Sequence, residues 1–121
     1  MKAFLFYLFV FTSIKSQDRF ILSQSLPGVY YSSAGWGDYN KDGLLDLALT
    51  GVDSSGYSIT NLFENSDGGL SQDLTQDIQA VFGGHLSWVD YNNDGHLDLT
   101  MTGFQISNFF GGFKTSFYKW D

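Results

Sequence analysis

One stretch of this chain occurs twice. Residues 36–51 read WGDYNKDGLLDLALTG and residues 88–103 read WVDYNNDGHLDLTMTG, identical at eleven of sixteen positions and offset by 52 residues. A chain that repeats at this interval builds one supersecondary unit twice. A period of roughly 40–55 residues with short strands points to propeller blades or to a solenoid array. The 121 residues leave room for one small domain.

The repeat spreads outward. Leu22-Ser23-Gln24 returns as Leu70-Ser71-Gln72, and Asn61-Leu62-Phe63 has a counterpart in Ser116-Phe117-Tyr118. Leu45, Leu47 and Leu49 alternate with Asp46, Ala48 and Thr50, and Leu97, Leu99 and Met101 alternate with Asp98, Thr100 and Thr102. Period two is the signature of a strand with one oily face. Each unit therefore reads as four extended segments: roughly 19–24, 30–37, 45–51 and 58–64 in the first, and roughly 69–74, 83–89, 97–103 and 115–120 in the second. Segments 53–57, 65–69 and 105–113 carry turn residues, and 76–82 reads as a loop. The expected fold is all-β, two four-stranded blade-like repeats at about 19–66 and 69–121.

Ahead of the repeats, residues 1–16 read MKAFLFYLFVFTSIKS. Lys2, a nine-residue apolar run from Ala3 to Phe11, then small polar residues form the layout of a secretory signal peptide cleaved after Ser16. The run is too short to span a bilayer, which takes roughly 20 residues. The expected destination is secreted or cell-surface. The chain holds no cysteine, so disulfides, zinc–thiolate sites and thiol catalysis are excluded.

Charge narrows the partners. Thirteen acids face six bases, a net charge of −7, and twelve of the acids are aspartate. Such a surface repels a phosphate backbone and argues against nucleic acid. It suits cations. Asp38, Asn40, Asp42 and Asp46 stand at positions 1, 3, 5 and 9 of the pattern D-x-N-x-D-G-x-x-D, and Asp90, Asn92, Asp94 and Asp98 repeat it. Glycine at position 6 lets the loop fold back, and the carbonyls of Leu44 and His96 at position 7 supply a further oxygen each. Six to eight hard oxygens are what Ca2+ takes, whereas Mg2+ demands a tighter octahedron. Three carboxylates so close repel one another by roughly 1 kcal/mol per pair in water, and a divalent ion removes that cost. Two Ca2+ sites with a structural role are expected. The simpler alternative is a pair of metal-free Asx-Gly turns. An EF-hand is excluded, because position 12 is Leu49 or Met101 rather than glutamate and the flanks alternate like strands.

With the motif W-x-D-Y-N-x-D-G-x-x-D-L-x-x-T-G present twice, the chain resembles the FG-GAP/VCBS repeat proteins, the family of the integrin α-subunit β-propeller. The resemblance covers about residues 19–121. It implies that each repeat is a four-stranded blade whose acidic loop joins two strands and holds calcium. It also implies a role in extracellular recognition or adhesion, with a protein or glycan as ligand. Such propellers usually close with about seven blades, and two blades leave open edges. The expectation is therefore further blades from the same gene product, or self-association.

Other residues read as structural. Trp36 and Trp88 are expected in the blade core, and Tyr39 and Tyr91 against a neighbouring strand. His85 and His96 lack the partners a catalytic base needs. No nucleophile-elbow motif occurs, and no catalytic residue is assigned. Phe109, Phe110 and Phe113 read either as an exposed tip or as packing against another blade. Three functions stay open: a calcium-stabilised binding module, a lectin holding sugars between blades, and an accessory domain of an exported enzyme.

Overall fold

The computed structural model describes residues 20–106 and 111–121, so the leader 1–16, Phe109 and Phe110 lie outside the described residues. Seven strands form two antiparallel sheets. The first sheet holds β1 (Val29–Gly37), β2 (Asp46–Asp53), β3 (Ser58–Ser66) and β4 (Gly69–Asp73), in that order. The second holds β5 (Phe82–Val89), β6 (Asp98–Ile106) and β7 (Gly111–Tyr118). The described residues contain no helix, and the sheets do not close into a ring. The all-β reading holds, with blade-like units of four and three strands.

Two boundaries differ from expectation. Phe20–Gly28 is not a strand. Its backbone does not pair, but the Gln24 side chain does: Nε2 donates to the Leu70 carbonyl at 2.7 Å and the Leu70 N–H donates to Oε1 at 2.9 Å. One side-chain amide thus pairs with Leu70 on the free edge of β4. The segment around Leu70 in turn belongs to the first sheet, where Leu70 lies opposite Asn65, and does not open the second. A tight turn from Ser66 to Gly69 brings the chain straight back, so adjacency in sequence decided the pairing.

The sheets stack face to face. Leu62, Ala48 and Tyr39 from the first meet Leu86, Leu99 and Met101 from the second, with Val81 between them. Leu47, Leu49 and Phe63 form a second buried group on the far side of the first sheet, where Leu26, Val29 and Leu70 pack on them. This explains why β2 is buried on both faces although its sequence alternates: even Asp46, Ala48 and Thr50 are closed off. Thr50 and Thr60 hydroxyls bond each other at 3.0 Å, while the Thr50 hydroxyl bonds the Val81 carbonyl and the Val81 N–H reaches Thr60. That clamp sets where β5 begins.

Close approach of β5 to β1 depends on two glycines. A Cβ at Gly35 would stand 2.7 Å from Leu86, and one at Gly37 would stand 2.8 Å from the Trp88 ring and 3.0 Å from Leu97. Trp88 lies across this glycine strip and donates Nε1–H to the Gly35 carbonyl at 3.1 Å. Its ring stacks on Tyr39, 5.7 Å centre to centre and 4° from parallel. Trp88 and Tyr39 pack as expected. Trp36 does not: it faces away from the second sheet and is 55% exposed. Tyr91 is 54% exposed and packs edge-on against Phe117 of β7.

Candidate metal centre

The two acidic loops join equivalent strands. Loop one connects β1 to β2, with Gly37 opposite Asp46, and loop two connects β5 to β6, with Val89 opposite Asp98. Their internal bonding is the same. The N–H of Asp42 donates to Asp38 Oδ1 and Asn40 Oδ1, each at 3.0 Å. The N–H of Gly43 reaches Asp38 Oδ2 at 3.0 Å, and that of Leu44 reaches Asp42 Oδ1 at 2.8 Å. In loop two the N–H of Asp94 donates to Asp90 and Asn92, both at 3.1 Å. Gly95 reaches Asp90 at 2.8 Å, and His96 reaches Asp94 at 2.9 Å. The amides of Asn40 and Asn92 donate to Asp42 and Asp94.

Positive φ drives this shape. Lys41 and Asn93 at position 4 have φ of 60° and 57°, and Gly43 and Gly95 at position 6 have 88° and 84°. Two left-handed residues within three turn successive N–H groups toward the loop interior. There they meet the position 1, 3 and 5 oxygens, an arrangement that suits anionic side chains. The N–H groups offset part of the carboxylate repulsion and fix the side chains in place.

Position 9 differs in kind. Asp46 and Asp98 open β2 and β6 and are buried, at 0% and 1% exposure. Asp46 accepts the Asn65 N–H at 2.8 Å and the Tyr39 N–H at 3.3 Å. Burial pushes its pKa above the usual carboxylate range, and Asp42 and Asp38 add to the rise against those two N–H groups. Asp98 Oδ1 accepts the Trp120 N–H at 2.9 Å, while Oδ2 is buried with no hydrogen-bond partner. A buried carboxylate oxygen left bare is costly unless a charge or donor meets it. Asp94 sits below the usual range, held there first by the His96 N–H and the Asn92 amide.

Among the described residues no three acidic, histidine or cysteine side chains converge closely enough to hold an ion by themselves. The expected ligand sets add amide and main-chain oxygens to the carboxylates. The residues present fit a hard cation: oxygen donors only, clustered at positions 1, 3 and 5, with a bare buried oxygen at position 9 of loop two.

The surroundings of the loops are unequal, which the sequence pattern did not reveal. Asn40 Nδ2 also donates to Glu64 Oε1 at 3.2 Å, so the only glutamate adjoins loop one. Register puts Phe63 opposite Leu47 and Tyr118 opposite Leu99, so Glu64 and Lys119 occupy matching places in the two units. Lys119 contributes to lowering the Asp94 pKa. A Cβ at Gly95 would lie 3.4 Å from Lys41 Nζ, which places that second ammonium beside loop two as well.

Between the sheets lies a cavity of about 110 Å³ lined by Tyr39, Trp88, Tyr118 and Trp120 with Gln76 and Asp77. Tyr39 donates its hydroxyl to Asp73 at 2.9 Å. Burial, then that bond to an anion, raise the Tyr39 pKa well above its ordinary value. The Asp73–Tyr39 link has no sequence signature, because it joins residues 34 positions apart.

A family model described as an FG-GAP-like repeat matches residues 38–101, from the first aspartate of loop one to the middle of β6. No curated protein and no solved structure is similar to the chain at a significant level. The match spans both acidic loops and more than half of the sequence, and the two units it joins are antiparallel sheets of like design; the chain belongs to the FG-GAP-like repeat proteins.

Proposed function

We propose that the protein is a secreted, calcium-stabilised binding module without catalytic activity. The observation that carries the reading is the acidic loop built twice with the same hydrogen bonds, ending on the bare buried oxygen of Asp98. In loop one the ion would be held by Asp38, Asn40, Asp42, the Leu44 carbonyl and Asp46. In loop two the holders would be Asp90, Asn92, Asp94, the His96 carbonyl and Asp98. Bound calcium supplies positive charge, which cancels the repulsion among three carboxylates and ties each loop to the strand that follows it. In a chain without disulfides this is a cross-link of the hairpin ends.

Repeats of this family are generally non-catalytic and typically extracellular, which supports the absence of an active site and the reading of residues 1–16 as an export leader. Among the described residues no helix is long and apolar enough to cross a membrane. The ligand class favoured is an extracellular protein or glycan. A lectin acting between the sheets is the weaker version, because the cleft there, about 110 Å³, falls short of the roughly 300 Å³ at which ligand pockets begin. An accessory role beside an exported enzyme would use the same surfaces.

Thermal unfolding tests the metal reading. Millimolar calcium should raise Tm over chelator, since an ion that binds only the folded form stabilises it by mass action. Asp42→Ala or Asp94→Ala should remove much of that rise. Asp53→Ala, which breaks the bonds capping the β2–β3 turn, should lower Tm equally with and without calcium. Superimposed curves in chelator and calcium would reject the ion.

A further inference from the structure

Three Asp-Gly steps occur in the chain: Asp42-Gly43 and Asp94-Gly95 at positions 5 and 6 of the acidic loops, and Asp67-Gly68 in the turn between β3 and β4. This dipeptide carries a chemistry of its own. The main-chain nitrogen of the glycine attacks Cγ of the aspartate before it, because no side chain on the glycine hinders the approach. The nitrogen must lose its proton and face that carbon from roughly 3–3.5 Å. In both acidic loops the bonding blocks this. The Gly43 N–H donates to Asp38 Oδ2 at 3.0 Å and the Gly95 N–H to Asp90 Oδ2 at 2.8 Å. Each nitrogen is thus aimed at another residue's carboxylate, whose negative charge holds the proton on. The loop carboxylates are tied as well, Asp42 Oδ1 to the Leu44 N–H at 2.8 Å and Asp94 Oδ1 to the His96 N–H at 2.9 Å. The turn differs. Asp67 and Gly68 are exposed, and among the described residues no hydrogen bond holds the Gly68 N–H or the Asp67 carboxylate. A Cβ at Gly68 would meet nothing within 4 Å, so the step is free to move.

We propose that Asp67-Gly68 is a site of spontaneous covalent modification, where the folded protein converts aspartate to isoaspartate. The Gly68 nitrogen bonds to Asp67 Cγ, and the hydroxyl of the protonated carboxyl leaves as water with the Gly68 amide hydrogen. The product is a cyclic imide. Water then opens the ring at either carbonyl, and opening at the original main-chain carbonyl leaves the chain running through the Asp67 side chain. No oxidant and no further reactant is consumed. The main chain gains one methylene between Ser66 and Gly69. Across a lengthened turn the pairs Ser66–Gly69 and Asn65–Leu70 lose their register. Leu70 holds both bonds from Gln24 and packs on the group of Leu47, Leu49 and Phe63. The change therefore loosens β4 together with the segment before β1. It goes beyond the calcium reading and does not depend on it.

Peptide mapping with electron-transfer fragmentation, which tells isoaspartate from aspartate, tests this on the full chain stored in chelator for several weeks at physiological temperature. Isoaspartate should accumulate several-fold faster at Asp67 than at Asp42 or Asp94. In urea the three steps should react alike, since the dipeptide is the same and only the fold distinguishes them. Gly68→Ala should slow the reaction at Asp67 several-fold. Asp38→Ala frees the Gly43 N–H and should raise the yield at Asp42 several-fold, with an unchanged Asp94 showing that the fold is kept. By hydrogen exchange, the aged fraction should open its Leu70 N–H several-fold faster than fresh protein. Folded wild type in which the three steps age alike, or in which Asp42 or Asp94 leads, overturns the proposal. So does a folded Asp38→Ala chain with no gain at Asp42. Calcium-dependent Tm is a separate readout, so the two ideas fail separately.

Discussion

Gly37 shows how one hydrogen atom in place of a side chain decides packing. Trp88 rests on it, and a methyl group there would sit inside the indole's contact distance. Gly37→Ala should therefore cost about 1–3 kcal/mol in urea unfolding, as overpacking does. Val89→Ala at the matching, exposed place should cost well under that. Asp73 offers a pH test. Its burial pushes the pKa up, but the Thr75 hydroxyl and N–H and the Tyr39 hydroxyl outweigh this, so folding lowers the value. The folded state thus favours the ionised form. The stabilisation is complete above the unfolded carboxylate pKa of about 4 and fades as the pH falls through the lower folded value. Asp73→Asn should flatten the acid limb of a stability–pH curve below about pH 4 and lower stability near neutrality. At this scale the sequence was only partly readable. The loop aspartates and glycines stood out because their spacing is local. Gln24 on Leu70, Asp73 on Tyr39 and Glu64 beside Asn40 did not, because folding, and not spacing, brings them together.

The two loops share a backbone but not an electrostatic setting. Glu64 adds a negative charge beside loop one and Lys119 a positive one beside loop two, while Lys41, itself part of loop one, reaches between the two loops. At surface dielectric each such charge is worth about 1 kcal/mol or more, so calcium titration by calorimetry should resolve a tighter site in loop one and a weaker one in loop two. Glu64→Gln should weaken the first and Lys119→Gln should tighten the second, each several-fold. Equal sites unaffected by either change would show that the flanking charges are screened out. Strands β2 and β6 were legible from period-two alternation, and β1, β3, β5 and β7 as extended segments placed around them by the repeat. The segment at 19–24 misled because Leu-Ser-Gln occurs twice: in β4 the backbone pairs, whereas before β1 the glutamine side chain does so in its stead. Alternation also suggested one oily face for β2, but that strand is covered on both sides, by the second sheet and by Leu26.

At the level of the whole molecule, a repeated sequence has produced two units that are not interchangeable. The first carries the glycine strip and a small presenting residue, Ala34; the second carries the large one, Leu86, and lacks the glycines. Their fit is directional, as a key is to its lock. Two first units in tandem would leave a gap where Leu86 belongs, and two second units would collide where Gly37 gives way to valine. The order of the halves is therefore written into Ala34, Gly35, Gly37 and Leu86 at the junction. Reversing the order of the halves would part Leu86 from the glycines that receive it, even though each half kept every residue of its acidic loop.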